Sequence, residues 1–306
     1  MNEKKSFGLA NIALVATTFL WGLNAVITKN AVGDTPETFR IFVFNGLRIP
    51  AGSLLLFLTV KLSGGRIGIK KEHFPLIAAV SFFGMFLFMA GFISGIKLTS
   101  AANAGIIGST IPFFILLVSF LSRIERPTKR TVTGILVGFC GVLALTVEKG
   151  GFSLNPGDVL IVLSCICWAI YTVFGKKILN VYVPMIATAW VYLLTSLYQL
   201  PLFLYQLSDQ TWTTISGWNW FNLVISTVGS IYLANSLYYY SINKIGPSRV
   251  GVYTNLTPVF TILLAVMIRG EKITTLQITG LVVIIIGIVI SRSKSKNLRI
   301  QDKEKI

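Results

Sequence analysis

The sequence predicts an all-α integral membrane protein with ten transmembrane helices arranged as two inverted five-helix repeats. Three observations support this fold class: an apolar composition, a series of long apolar segments, and an internal repeat. Hydrophobic residues make up 54% of the 306 residues and charged residues only 12%, with a mean hydropathy of +0.74. A soluble globular domain carries about twice that share of charged residues. The chain is therefore expected to lie in a membrane.

Ten apolar segments have about the length that crosses the hydrocarbon core of a bilayer. Because lipid offers no hydrogen-bond partner to the backbone, such segments are expected to be helices. The alternating strands of a β-barrel are not visible. The first five segments run 8–28, 41–60, 74–96, 98–121 and 131–147, and the second five run 159–175, 182–205, 219–242, 248–268 and 273–291.

The second half of the chain repeats the first. Residues 105–141 and 251–287 align without a gap at an offset of 146 and are identical at eleven positions. The matched pairs include Gly105/Gly251, Pro112/Pro258, Arg123/Arg269, Glu125/Glu271, Thr133/Thr279, Gly134/Gly280 and Gly141/Gly287. The chain divides accordingly into repeats 1–149 and 150–306. With five spans each, the second repeat is upside down relative to the first, as in many secondary transporters. A duplicated scaffold without transport activity is the alternative.

The net charge of +16 is distributed unevenly between the two sides of the predicted membrane. Twenty Lys and Arg residues fall in segments on the side of the N-terminus and six on the other side. This is the positive-inside pattern, and it predicts that both termini are cytoplasmic. The basic excess is thus explained by topology, and no nucleic-acid partner is expected. The basic tail from Arg292 onward is predicted to lie on the membrane surface or to be disordered.

Two matched polar faces lie in the first and sixth spans, at an offset of 147. They are Thr17, Trp21, Asn24 and Thr28 in one and Ser164, Trp168, Tyr171 and Gly175 in the other. Their spacing puts each set on one helical face. Polar groups in the middle of an apolar helix are expected to turn away from lipid. They predict a substrate cavity; helix-to-helix packing and, for the tryptophans, an interfacial belt are the alternatives.

The fourth and ninth spans carry a further matched face, made of Gly105, Ser109 and Pro112 in one and Gly251, Asn255 and Pro258 in the other. A proline inside a span removes a backbone hydrogen bond, so both helices are expected to kink. Pro112 and Pro258 are predicted gate residues, with Ser109 and Asn255 beside them in the pathway. A static bend is the alternative.

The eighth span presents Tyr232, Asn235 and Tyr239 on one face, with Tyr238 close by. Aromatic rings with polar tips suit a mixed pocket that receives an amphipathic small molecule. Asn235 and Tyr239 are therefore predicted substrate-binding residues. Ordinary packing is the alternative.

Arg48 lies near the middle of the second span, and the corresponding region of the seventh reads Leu194, Thr195 and Ser196. An arginine at this depth must point into the bundle and find carbonyls or an anion. Two hypotheses stay open: Arg48 receives a carboxylate or phosphate of the substrate, or it caps helix carbonyls beside Pro50.

All eleven acidic residues fall in loops or at segment ends. Proton-coupled antiporters commonly carry a carboxylate inside the membrane, and none is expected at depth here. Facilitated export is thus the simpler hypothesis, and any coupling must use a peripheral group, backbone carbonyls or the substrate's own gradient. No metal site, cofactor or cluster of catalytic residues is visible, so no enzyme activity is expected.

The five-plus-five spans, the tryptophans of the first and sixth helices, Arg48, and the signatures that run from Pro112 and Pro258 through Glu to Gly resemble the EamA family of the drug/metabolite transporter superfamily. The resemblance covers nearly the whole chain. It implies ten helices in two inverted repeats, export of amino acids or other metabolites, and a central cavity lined by helices 1, 3, 4, 6, 8 and 9. It also implies that helices 5 and 10 lie at the periphery, and the glycines of these two helices suit close helix packing. Because Arg48 has no counterpart in the second half, the substrate contacts need not be symmetric.

The predicted function is that of a secondary transporter, exporting amino acids or related small metabolites by alternating access through a central cavity. A broad-specificity efflux protein for drugs and amphipaths, or a non-transporting sensor or scaffold, is the alternative. The expected partners are a small-molecule substrate and the lipid bilayer, with a homo-oligomer left open. The expected location is the bacterial cytoplasmic membrane, which the chain crosses several times.

Overall fold

The computed structural model of the protein describes residues 3–33, 35–98, 107–108, 110–125, 127–146, 156–269 and 275–291. Helices dominate these residues and no β-strand occurs among them, which confirms the predicted all-α class. The first half contains α1 Glu3–Ala31, α2 Ile41–Leu62, α3 Phe74–Ala79, α4 Leu87–Leu98, α5 Ile111–Leu121 and α6 Lys129–Thr146. The second half contains α7 Pro156–Leu179, α8 Pro184–Tyr198, α9 Leu200–Leu207, α10 Gly217–Ser226, α11 Asn235–Ile245, α12 Pro247–Thr254, α13 Leu256–Arg269 and α14 Thr275–Ser291.

Several of these helices are suited by length and composition to cross a bilayer. Four stretches in the described residues qualify by themselves, namely Phe7–Thr28, Ile41–Leu62, Lys71–Gly95 and Pro156–Leu179. The pair α8 and α9, bent by 50° near Gln199, makes a fifth if it is one span. Shorter apolar helices occur at Ile111–Leu121 and Ile278–Ser291. The total of ten spans and the inverted layout of the halves stay predictions.

Large apolar side chains lie exposed along the outward faces of these helices. Exposed apolar surface of this extent is unfavourable in water and favourable in contact with lipid tails. The faces therefore fit contact with the hydrocarbon core of a bilayer. Examples are Leu9, Ile12, Leu54, Leu58, Phe120, Leu136, Val159, Leu163, Ile285 and Val289.

One π-helical segment interrupts the third predicted span and another interrupts the eighth. The first is Val80–Phe86, between α3 and α4, and the second is Thr227–Ala234, between α10 and α11. Their starting residues are 147 positions apart, the same offset that relates the polar faces of the first and sixth spans. The two halves thus share a local backbone feature as well as sequence. Such widened turns are uncommon and often occur at functional sites.

Helical regularity also breaks just before each of the two matched prolines. α5 begins after a turn at Thr110 and has Pro112 in its first helical turn. α12 ends at Thr254, and α13 begins at Leu256, so that Pro258 is its third residue. Proline fits a first turn because its missing N–H would have no partner there. The deformation that the sequence predicted at the prolines therefore lies two to three residues ahead of them.

α6 and α14 cross in backbone contact at their glycines. A Cβ atom on Gly134 would lie 2.5 Å from the carbonyl oxygen of Gly287, and one on Gly141 would lie 2.8 Å from that of Gly280. Only glycine allows two helices to approach this closely. The close packing that the sequence predicted for these helices is present, and it joins the first half of the chain to the second.

Replacing Gly134 with valine should force α6 and α14 apart. Overpacking of a tight contact typically costs about 1–3 kcal/mol, so the purified protein should melt several degrees lower in detergent. Gly8→Val is the matched control, because a Cβ on Gly8 meets nothing within 4 Å. Equal melting temperatures for both variants would contradict the contact.

Candidate functional site

Aromatic rings from both halves of the chain meet in the interior. The indole of Trp21 on α1 lies 5.3 Å from that of Trp168 on α7 and 5.0 Å from the ring of Tyr238 on α11, measured between ring centroids. Phe88 on α4 approaches Trp168 to 4.7 Å. These separations are those of favourable aromatic pairs. One residue from each predicted face, Trp21 of the first span and Trp168 of the sixth, therefore meets the other in the interior.

Two hydrogen bonds fix the rings at the centre of this group. The Trp168 indole N–H donates to the Tyr238 hydroxyl at 3.2 Å. The same hydroxyl pairs with the Thr172 hydroxyl at 2.9 Å. Trp168 and Tyr238 are both buried. A buried indole N–H needs such a partner, so Tyr238 holds Trp168 in its orientation.

Tyr171 and Tyr239 extend the group toward the end of α7. Their rings stack with centroids 4.9 Å apart, and both side chains are fully buried. Neither hydroxyl has a hydrogen-bond partner in the described part of the chain. Buried polar atoms without partners are uncommon, and they often mark places where water or a ligand binds. We call Trp21, Trp168, Tyr171, Tyr238 and Tyr239 the aromatic cluster.

Arg48 on α2 is buried beside this cluster. Its Nε donates to Asn45 Oδ1 at 2.8 Å, and its Nη1 donates to Asn24 Oδ1 at 3.0 Å and to Ser226 Oγ at 2.6 Å. The Ser226 hydroxyl in turn donates to Asn24 Oδ1 at 2.5 Å. Asn24 follows Trp21 by three residues on the same face of α1. We call Arg48, Asn24, Asn45 and Ser226 the arginine cluster; it is contiguous with the aromatic cluster through α1.

The described residues that hydrogen-bond to the Arg48 guanidinium are all neutral. No carboxylate among the described residues lies within 4.0 Å of the guanidinium, which sits over the ring of Phe44 at 5.1 Å. Its second amino group, Nη2, has no partner in that part of the chain. A guanidinium presents its donors as a fork that matches a carboxylate or a phosphate. The arginine cluster therefore has both the charge and a spare donor for an anion.

The remaining predicted site residues are placed differently. Asn235 donates from Nδ2 to the Ser230 carbonyl of the second π-helical segment at 2.6 Å, while its Oδ1 is buried with no partner among the described residues. Asn255 lies at the break between α12 and α13 and packs on Gly138 of α6, and its Nδ2 is buried with no partner among the described residues. Its place in the pathway stays a prediction. Ser109 lies outside the described residues.

The structure adds residues that spacing along the chain did not single out. Asn45 could have been found, since it precedes Arg48 by three residues on one helical face. Thr172 likewise follows Trp168 by four. Ser226 and Phe88 carry no such signal, because their roles depend on which helices lie side by side. Thr195, which corresponds to Arg48 in the second repeat, hydrogen-bonds to the carbonyls of Val191 and Ser81.

Residues 8–147 and 155–293 each match the model of the EamA-like transporter family. The chain belongs to the EamA-like transporter family. This confirms the resemblance drawn from the sequence motifs. It also identifies the chain as a multi-pass membrane transporter, in keeping with its apolar helices.

Several transporters resemble the chain along most of their length. It is 28% identical over 300 residues to the uncharacterized transporter YetK of Bacillus subtilis, covering 96% of this chain and 89% of the relative. It is 27% identical to an uncharacterized transporter of Archaeoglobus fulgidus, covering 91% and 97%. It is 26% identical to the uncharacterized inner membrane transporter YedA of Escherichia coli, covering 91% and 89%.

A crystal structure has a fold similar to the one described above. It superposes with a TM-score of 0.78 at 21% sequence identity, covering 92% of this chain and 96% of the other. At this identity the likeness concerns the fold alone.

Tyr238→Phe should destabilise the protein, because it leaves the buried Trp168 indole N–H and the Thr172 hydroxyl without their shared partner. An unsatisfied buried donor costs about 1–3 kcal/mol. Unfolding in denaturing detergent, followed by tryptophan fluorescence, measures the change. Tyr205→Phe is the control, since Tyr205 is 75% exposed. If both variants were as stable as the wild type, the hydrogen bonds of the Tyr238 hydroxyl would contribute nothing to stability.

Proposed function

We propose that this EamA-like protein exports amino acids or related small metabolites by alternating access, with the substrate bound between the arginine cluster and the aromatic cluster. The observation that carries the proposal is the buried Arg48, whose partners among the described residues are all neutral and whose Nη2 has no partner there. Transporters of this construction bind substrate at mid-depth between their halves. A carboxylate on the substrate would complete the set of donors that the protein leaves open.

The aromatic cluster supports the same location for the substrate. Trp21 comes from the first half, while Trp168 and Tyr238 come from the second. Under the proposed mechanism, relative movement of the halves would separate these rings and expose a mixed apolar and polar surface. Such a surface suits the body of an amphipathic small molecule whose acidic group lies at Arg48. Because the second half has Thr195 in place of an arginine, one anionic group per substrate is sufficient.

The gate and the topology belong to the same proposal. Pro112 and Pro258 follow helix breaks in corresponding positions of the two halves, which suits a movement that alternates between faces. The proposed arrangement has ten spans, inverted repeats 1–149 and 150–306, and cytoplasmic termini in the cell membrane. The positive-inside distribution of Lys and Arg supports this orientation.

The function is tested with purified protein in proteoliposomes that are loaded with radiolabelled amino acids, their amides and uncharged amphipaths. The proposal is supported if the acids leave these vesicles faster than they leave vesicles without protein. Efflux of every amphipath at the same rate, charged or not, would instead favour a broad-specificity efflux protein. An absence of efflux for the whole panel would favour a sensor or scaffold.

Arg48→Gln should remove the preference for acids over their amides. A hydrogen bond to a charged group contributes about 1.5–3 kcal/mol, so the efflux rate of the acid at subsaturating concentration should fall roughly 10- to 100-fold. The amide should change little. Arg66→Gln, in the exposed loop before α3, is the matched control. Wild-type preference in Arg48→Gln would remove Arg48 from the substrate site.

Trp21→Ala should weaken binding of any transported substrate that contacts the aromatic cluster. Loss of one aromatic wall costs about 1 kcal/mol or more, which lowers the thermal stabilisation by that substrate. Trp218→Ala serves as control because Trp218 is 65% exposed. Identical stabilisation of both variants would exclude the aromatic cluster as the pocket.

A further inference from the structure

A buried asparagine next to the arginine cluster has no partner for its own donor. Asn222 on α10 is 2% exposed, and its Nδ2 has no hydrogen-bond partner among the described residues. It precedes Ser226 by four residues, so the two side chains share one face of α10. Asn219, three residues before Asn222, donates from Nδ2 to the Glu37 carbonyl at 2.8 Å. The neighbours of Asn222 on this face are therefore hydrogen-bonded, while its own Nδ2 is left open.

α2 and α10 run side by side in the same direction. Asn219, in the first turn of α10, contacts Glu37 in the loop before α2, and Ser226, in the last turn, contacts Arg48. The two contacts follow each other in the same order along both segments, which makes the helices parallel. Asn222 lies between these contacts, one turn from Ser226 toward the starts of the helices.

The Arg48 side chain extends toward the same end of the protein. Its Nε reaches Asn45, three residues earlier on α2, and its guanidinium lies over the ring of Phe44, four residues earlier. Helical side chains generally lean toward the helix start in this way. The guanidinium, with its unpartnered Nη2, and the Asn222 amide therefore lie on the same side of Ser226.

The two open donors belong to different halves of the chain and match the two oxygens of a carboxylate. A carboxylate only accepts hydrogen bonds, and it can accept one on each oxygen. An amide has one accepting oxygen and an NH2 group that donates, so it would leave one of the two protein donors unpaired. A buried donor without a partner is costly. The pair Nη2 and Nδ2 therefore suits an acid better than its amide.

We propose that Arg48 Nη2 and Asn222 Nδ2 form a two-donor site between the halves, where the substrate carboxylate accepts one hydrogen bond from each. The proposal rests on the exporter function above and makes Asn222 a specificity-determining residue of that site. Nδ2 is enclosed in the arrangement seen here, so the acid enters when the halves separate and is held when they close. Because it bridges the halves, a bound carboxylate favours the closed arrangement.

The placement of the two donors is tested without substrate, by a double-mutant cycle on the full chain in nanodiscs. Asn222→Asp puts a carboxylate where the acid is proposed to bind. Beside the guanidinium this carboxylate is paired, so the melting temperature should equal or exceed that of the wild type. In an Arg48→Gln background the same carboxylate is buried without a cation, and the melting temperature should fall several degrees below that of Arg48→Gln alone.

Asn219→Asp is the matched control, since Asn219 lies further from the guanidinium on the same face of α10. It loses its hydrogen bond to the Glu37 carbonyl in either background. Its melting temperature should therefore fall by the same amount with and without Arg48→Gln. If Asn222→Asp also lowers the melting temperature equally in both backgrounds, the Asn222 and Arg48 side chains do not face each other, and the proposal is overturned.

Recognition is measured by efflux of phenylalanine and of its amide from proteoliposomes. Asn222→Ala removes the donor and adds no charge, so efflux of the acid at subsaturating concentration should fall roughly 10- to 100-fold. Efflux of the amide should change little. Asn222→Asp should abolish the preference for the acid, because its own carboxylate occupies the donors. A fall by the same factor for acid and amide in Asn222→Ala would indicate a structural role and overturn the proposal.

The site and the exporter function can fail separately. The double-mutant cycle requires no transport, so coupling between Asn222→Asp and Arg48→Gln in a protein that exports none of the tested compounds would support the two-donor site and reject the exporter. Export with the wild-type preference for acids in Asn222→Ala would keep the exporter and remove Asn222 from the site.

Discussion

A guanidinium that is removed from water must be hydrogen-bonded by the protein, and the middle of this molecule depends on how that requirement is met at Arg48. The neutral side chains of Asn24, Asn45 and Ser226 come from α1, α2 and α10 and converge on it. Neutral partners satisfy the donors without cancelling the charge. The interior therefore keeps a positive centre, and three helices are held around it.

One face of α1 takes part both in the arginine cluster and in the aromatic contact between the halves. Asn24 hydrogen-bonds to Arg48, and Trp21, one turn earlier on α1, packs against Trp168 and Tyr238. A change in the position of α1 would affect both groups at once. Under the proposed mechanism this links recognition of an acidic group to the movement of the halves.

The halves meet through two kinds of contact with different physical character. α6 and α14 touch backbone to backbone at glycines, where no side chain can rearrange. The aromatic cluster, and the hydrogen bond between Glu125 and the Ser248 N–H, are made by side chains that can separate and re-form. The two halves can therefore move by breaking and re-forming these side-chain contacts while the glycine crossing stays fixed. Such movement is consistent with close-packed helices, which shift between discrete arrangements more readily than they deform.

The sequence by itself determined the class of the protein, the inward direction of Trp21 and Trp168, the suitability of the α6 and α14 glycines for close packing, and the isolation of Arg48. Each follows from composition, from helical spacing or from comparison of the two repeats, all of which are local along the chain. Only the tertiary structure decided that Ser226 completes the arginine cluster, that Asn255 packs on α6, and that Glu125, in a loop by sequence, accepts a hydrogen bond from the Ser248 N–H. These depend on which helix faces meet and on where the backbone widens or breaks. Such choices are made by packing and by the need to pair buried polar groups, and one-dimensional periodicity does not encode them.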